Sequence, residues 1–296
     1  MFALTSAEWN NSRILRRRIV PQRSIAFLVL AFALATTPAR AFAQQHADRL
    51  IGVIGITDEV APVEARIQNA QVTRIQGVVF TSGTIDGARV VAARSGAGKV
   101  NAAFATTLLV DHFSPSAVVF TGTAGAIGTE LNPGDVVIGS AVGYHDFGNI
   151  TTGGFVRSTT RNAASGRLDP SFFPADPALL AAARRAATTV KPSSGPDAKG
   201  ARAPFVREGL IVTGDAFVAN PTNRESLRRE LNASAVEMEG AAVAQVCTRF
   251  GVPAIIIRSI TDHADGGASD SYERYVGVAS RNAAELVLAT IHEIVK

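Results

Sequence analysis

The stretch "SAVVFTGTAGA" (residues 116–126) decides the fold. Its first half is an apolar, β-branched run, and its second half is threonine, alanine and glycine. No polar residue alternates through "AVVF", so a strand here must be covered on both faces. The glycines that follow let backbone approach a ligand closely.

The neighbouring segments supply that cover. "RLIGVIGI" (49–56) reads as a strand ending in glycine, and "DEVAPVEARIQNA" (58–70) as a helix interrupted early by Pro62. "VTRIQGVVFTSGTIDGARVVAARSG" (72–96) reads as two strands about a turn at Asp86-Gly87. An apolar helix follows over 99–113, and "GDVVIGSAV", "LIVTGDAF", "AVEM" and "PAIIIRSITD" are further strands. A last helix is expected from about Ser271 to Val295. Apolar strands alternating with helices give an α/β fold, a single domain of three layers, α/β/α, around a central mixed, twisted sheet. Between about 150 and 205 the composition shifts to Thr, Ser, Gly, Pro and Arg, and "KPSSGPDAKGARAP" (191–204) reads as a mobile loop.

The first 43 residues read differently. Arg13, Arg16, Arg17, Arg18 and Arg23 precede the apolar run "IAFLVLAFALA" (25–35), and Ala41-Phe42-Ala43 follows. A basic region, a short apolar region and small residues at a cleavage site describe a secretory signal peptide. The apolar run is shorter than the roughly 20 residues of a membrane span. The expectation is an exported protein, periplasmic or secreted, with cleavage near Ala43, a mature domain over 44–296 and no stable membrane insertion. An uncleaved amphipathic tether is the alternative, and the arginines match a twin-arginine signal only loosely.

Charge follows from this division. The formal charge of the whole chain is +4, but residues 1–43 hold six arginines and one acid, so the remainder is near −1. The basic balance therefore sits on the leader, and no basic stripe points to nucleic acid. Cys247 is the only cysteine, which excludes an intramolecular disulfide and a cysteine zinc site.

Several familiar signatures fail. "SGAGKV" (95–100) has the Gly-Lys of a phosphate loop, but Ala93 and Val100 stand where glycine and Ser or Thr are needed. "GTAGAIG" (122–128) has glycine at every third position and is not a dinucleotide fingerprint. The histidines are scattered, and there is no G-x-S-x-G elbow.

The strand ends are more informative, since ligands of α/β sheets sit outside the carboxyl ends of strands. Those ends carry Asp58 and Glu59, Thr123-Ala124-Gly125, Phe217, Glu237-Met238-Glu239, and Asp262 with Asp265. An aromatic ring can stack on a heterocycle, and a methionine can pack on a sugar face. One carboxylate can hold a cis-diol, and two more can divide acid and base work if burial keeps one protonated. The set suits a sugar joined to a flat base. Each residue alone has a plainer reading: Asp58, Glu59 and Glu237 as helix openers, Asp262 as a turn cap, Phe217 as core.

"GVIGITDEV", "SGAGKVNAAFATTLLVDHFSPSAVVFTGTAGA", "GDVV", "YHDF", "GLIVTGDAF", "AVEMEGAAVAQVC" and "VPAIIIRSITDHAD" together resemble the 5′-methylthioadenosine/S-adenosylhomocysteine nucleosidase family of the nucleoside phosphorylase superfamily. The resemblance runs from about Leu50 to the C-terminus, apart from 150–205, and implies a nucleoside phosphorylase-like fold. It implies that Asp262 protonates N7 of the leaving base and that Glu59 directs water at the anomeric carbon. Glu239 would hold the ribose hydroxyls with Met238 against the sugar. Phe217 would stack on the base, the Val218 backbone would read its edge, and Thr123, Ala124 and Gly125 would line the pocket. Arg258 would support the catalytic neighbourhood, and Tyr272 would stand near the ribose 5′ side. No metal or organic cofactor is called for, the partner is a small purine nucleoside, and a homodimer is implied.

The departures from the family pattern are specific. The loop "GITDEV" is one residue shorter, which leaves Asp58 as a second candidate base, and 150–205 is expected to reshape the 5′ pocket. Three other functions compete. One is a phosphorylase, for which Arg94 beside Ser95 is the candidate anion site. The second is a nucleosidase for another purine nucleoside, and the third a non-catalytic nucleoside-binding protein.

Overall fold

In this computed structural model, which describes residues 49–197 and 202–296, the chain begins with β1 (Leu50–Ile56), α1 (Thr57–Glu64), β2 (Gln68–Ile75), β3 (Val78–Ile85) and β4 (Ala88–Ser95). Next come α2 (Lys99–Phe113), β5 (Ala117–Phe120), β6 (Thr123–Ala126) and β7 (Val136–Tyr144). The hairpin β8 (Gly148–Thr151) and β9 (Gly154–Arg157), then β10 (Phe173–Pro174) and α3 (Pro177–Ala187), precede β11 (Val206–Thr213). The chain ends with α4 (Pro221–Leu231), β12 (Ala235–Glu237), α5 (Gly240–Phe250), β13 (Ala254–Asp262) and α6 (Ala268–Val295). The expected signal peptide (1–43) lies outside the described residues.

The main sheet runs in the order β10-β7-β11-β12-β6-β13-β5-β1-β4-β3-β2 and mixes parallel and antiparallel pairs. Both faces of its centre are buried. In β1, Ile51 and Val53 face one cluster while Ile54 faces the other; in β13, Ile255 and Ile257 oppose Ile256 and Ile260. This is strand periodicity with an apolar layer on each side. Val60, Val63, Leu179, Leu286 and Ile291 carry α1, α3 and α6 onto one face. Ala102, Leu109, Ala241, Val243 and Cys247 carry α2 and α5 onto the other. The expected three-layer α/β/α fold is present. Cys247 is buried, and burial pushes its thiol up to about 12, as befits an inert core residue.

Four expectations need correction. The helix expected over 58–70 ends at Glu64, and Gln68–Ile75 forms β2, a polar edge strand without alternation to betray it. The hairpin is therefore a three-stranded meander with two tight turns, Gln76-Gly77 and Asp86-Gly87. In each turn both residues have positive φ, between 48° and 86°, the type I′ geometry that suits strand twist. The stretch 116–126 is two strands broken at Thr121-Gly122. The segment 150–205 is only partly irregular: it holds β9, β10 and α3, and its loop is tied at both flanks. Asn282 bonds both backbone groups of Ser193, and Arg202 pairs with Asp135. Residues 198–201 of that loop lie outside the described residues.

One topological feature was not expected at all. β7 pairs with β13 as well as with β11, so β7, β11, β12, β6 and β13 close into a ring within the sheet. A register shift between Gly209 and Leu210 accompanies the bend. The ring brings the ends of β6, β12 and β13 together, and the candidate site lies there.

Candidate active site

Arg258, in the middle of the largely apolar β13, is fully buried. A guanidinium there needs compensating charge. Its Nη2 pairs with Glu237 and lies 3.4 Å from Glu239 Oε2, while Nη1 donates to Thr121 O at 3.1 Å and lies 3.8 Å from Glu59 Oε2. The cation also lies 4.0 Å from the centroid of the Phe120 ring. Three glutamates, from α1, the end of β12 and the N-cap of α5, thus share one arginine.

Glu237 ends β12 and is buried, not solvated. It takes the Thr213 hydroxyl and accepts from the Glu239 N–H at 3.1 Å and the Gly240 N–H at 2.8 Å, so it also caps α5. Glu237 is therefore not the solvated helix start that its sequence suggests: it closes β12, three residues before α5, and is buried against Arg258. Glu239 follows, accepting from the Gly98 N–H at 2.7 Å. Burial first, and Glu237 next, push its carboxyl up to about 7 against the pull of Arg258.

The choice between Asp58 and Glu59 is geometric. In the first turn of α1, Asp58 points to solvent and Glu59 is 3% exposed. Glu59 Oε1 accepts from the Thr123 N–H at 3.2 Å and takes the Thr123 hydroxyl. Its Oε2 is buried with no hydrogen-bond partner. Burial raises its pKa, and Arg258 and Thr123 oppose that rise. Gly122 makes this approach possible, because a Cβ there would collide with both Arg258 Nη1 and Glu59 Oε2.

Asp262, at the end of β13, is 1% exposed. Its Oδ1 accepts from the Ala264 N–H at 2.8 Å, and its Oδ2 bonds the Thr261 hydroxyl at 2.7 Å. Burial raises its pKa despite those two bonds. Ala264 holds a left-handed φ of 49°, a strained conformation for alanine that turns its N–H onto the carboxyl. Glu59 grips Thr123, and Asp262 lies against Gly125. Thr123 and Gly125, two apart on β6, share one face of the strand about 7 Å apart along it, and the two carboxyls lie against these two positions.

The cavity between them is about 420 Å³. Glu59, Asp262, Glu239 and Met238 line it, with Thr123, Ala124 and Gly125 along one wall. Phe217 and Tyr272 stand at its edge, ring centroids 6.0 Å apart and nearly perpendicular. Val218 lies beside it, in a small recess shared with Phe217 and Asp262. Of the candidate residues Arg258 is fully buried and lines no part of this cavity, and neither do Asp58, Asp265 and Arg94. Sequence reading missed Ile56, Ala97, Val236, Ser269 and Glu273, which also line the cavity. Most are small or apolar and carry no chemical signal. Among the described residues no metal-holding group of His, Cys, Asp and Glu is present.

The family model of the phosphorylase superfamily matches residues 50–295, and the chain belongs to that superfamily. Within that superfamily its relatives are more particular. It is 40% identical to the 5′-methylthioadenosine/S-adenosylhomocysteine nucleosidase of Psychromonas ingrahamii, over 82% of this chain and 99% of that one. It is 36% identical to the enzyme of the same name from Anoxybacillus flavithermus, over 83% and 99%. Among solved structures, the nucleosidase of Colwellia psychrerythraea in complex with adenine superposes with a TM-score of 0.70 at 34% identity, covering 83% and 96% of the chains. The futalosine hydrolase of Helicobacter pylori does so with a TM-score of 0.69 at 28% identity, covering 84% and 99%.

Proposed function

We propose that the protein is a purine nucleosidase that hydrolyses the N-glycosidic bond of 5′-methylthioadenosine or S-adenosylhomocysteine, releasing adenine. The observation that carries this reading is the pair Glu59 and Asp262, both buried with raised pKa values, addressing one face of β6 in one cavity. Asp262, held toward its acid form by burial, delivers a proton to N7 of the departing base. Glu59 Oε2, the oxygen free of hydrogen bonds, takes a proton from the attacking water. Glu239 and Met238 hold the ribose, and Phe217 stacks on the base.

The charge of the cavity favours water over phosphate. Glu59, Glu237, Glu239, Asp262 and Glu273 line it, and among the described residues no lysine or arginine does. The ionised carboxylates among them stabilise a developing oxocarbenium cation and repel an anionic nucleophile, while Asp262 keeps its proton for the base. Arg94, the candidate anion site, is taken by Glu64 through Nε at 3.0 Å and Nη2 at 2.6 Å.

A panel of methylthioadenosine, S-adenosylhomocysteine, futalosine, adenosine and inosine, with and without phosphate, tests the reading. Adenine release from the 5′-thio nucleosides is expected at equal rates in both conditions. Release that needs phosphate would refute it, and a preference for futalosine would reassign the substrate.

The proposal includes a homodimer exported to the periplasm or beyond. Exposed apolar residues gather on α2 (Val100, Phe104) and on 147–156 (Phe147, Ile150, Phe155, Val156), two segments joined by Lys99 and Asp146. Light scattering on protein recovered from the periplasm is expected to give twice the mass of residues 44–296; a monomer, or retention in the cytoplasm, would contradict it.

A further inference from the structure

Lys99 takes no part in the proposed chemistry and lines no wall of the cavity. Its position is nevertheless unfavourable by local energetics. It is the first residue of α2, where a positive charge opposes the helix macrodipole. An acid would suit that place better.

Its contacts account for it. The Nζ donates to Asp146 Oδ1 and Oδ2 at 2.7 and 2.8 Å, and it lies 3.6 Å from Asp215 Oδ2 and 5.4 Å from the centroid of the Tyr144 ring. The Lys99 N–H donates to Asp215 Oδ1 at 2.8 Å, and the Asp215 N–H donates to Asp146 Oδ2 at 2.8 Å. Burial alone would lift the Asp146 carboxyl; Lys99 and the Asp215 N–H outweigh it and hold the group below its ordinary value. One residue earlier, the Gly98 N–H holds Glu239. Two adjacent residues, Gly98 and Lys99, therefore grip both halves of the cavity: the ribose carboxylate and the segment leading to Phe217, two residues beyond Asp215. The "SGAGKV" turn, which fails as a phosphate loop, binds the protein's own carboxylates instead.

Phe217 needs such support. Its side chain is half exposed, and Tyr272 meets it only edge-on. Asp215, two residues earlier, anchors the backbone that carries it.

We propose that Lys99 is a positioning residue, whose ammonium ties Asp146 to Asp215 and so sets the Phe217 ring over the base at a fixed distance from Glu239 on the ribose. That the ring's target is a purine rests on the nucleosidase reading. The ion pair is partly open to water, at 22% and 28% side-chain exposure, so it adds little to global stability. Its loss should appear in binding.

The test compares Lys99→Met, Lys99→Arg and Asp146→Asn with the wild-type chain. It reads the Kd of adenine by calorimetry and the KM and kcat for methylthioadenosine. Lys99→Met is expected to raise Kd and KM roughly tenfold, with kcat within about threefold. Lys99→Arg restores most of the loss, and Lys99→Met with Asp146→Asn is no worse than Lys99→Met alone. Should Lys99→Met fail to fold, Asp146→Asn is held to the same thresholds. Wild-type Kd and KM in these variants, or a fall in kcat with KM and Kd unchanged, would overturn the proposal. Wild-type protein that neither binds nor releases adenine would overturn the nucleosidase reading instead.

Discussion

Asp262→Asn is expected to slow adenine release by roughly 10²–10⁴-fold, the usual worth of a positioned general acid. An amide can still accept the Ala264 N–H and bond the Thr261 hydroxyl, so the turn at the end of β13 survives. What it cannot do is give up a proton as the glycosidic bond breaks. The loss should fall on kcat, with the affinity for methylthioadenosine changed far less. Stopped and quenched assays at several substrate concentrations read both quantities. A rate near that of the wild type would show that another group protonates the base.

The second large effect is on the fold itself. Arg258→Met removes the one cation shared by Glu59, Glu237 and Glu239 and leaves three buried carboxyls to fend for themselves. Removing one partner of a buried ionic cluster costs about 3–5 kcal/mol. The cost depends on pH in a definite direction. Glu59 and Glu239 already have raised pKa values, and losing Arg258 raises them further. The folded state then binds more protons than the unfolded state, so stability falls as pH rises above the ordinary glutamate value. Denaturant melts should show a larger deficit at pH 8 than at pH 5. An equal deficit at both would mean that packing on Phe120, not charge, is what Arg258 contributes.

Much of this was legible in the chain. The apolar run 117–120 demanded cover on both faces, and the alternation of strands with helices named the layers. The site residues were found because strand ends concentrate chemistry, and nearly all of them do line one cavity. Other features left weaker signals. β2 is an exposed edge strand, "QNAQVTRI", so neither alternation nor apolarity marked it, and only the turn at Gln76-Gly77 could have. The ring closure of β7 onto β13 goes with a register shift between β7 and β11 that leaves Ser140 without a partner in β11, which no residue pattern announces. Glu237 reads as the solvated start of a helix, but the helix begins three residues later, at Gly240. The missed clue was Arg258. An arginine inside "AIIIRSI" must find buried acids, and the nearest unassigned acid beside Glu239 was Glu237.

The central claim is that water, directed by Glu59, is the acceptor of the ribosyl group. Turnover of methylthioadenosine with phosphate present tests it most directly, by mass spectrometry of the sugar product. The account predicts free methylthioribose, and a loss of that product in Glu59→Gln. Methylthioribose 1-phosphate as the product, or free methylthioribose released at full rate without Glu59, would contradict it.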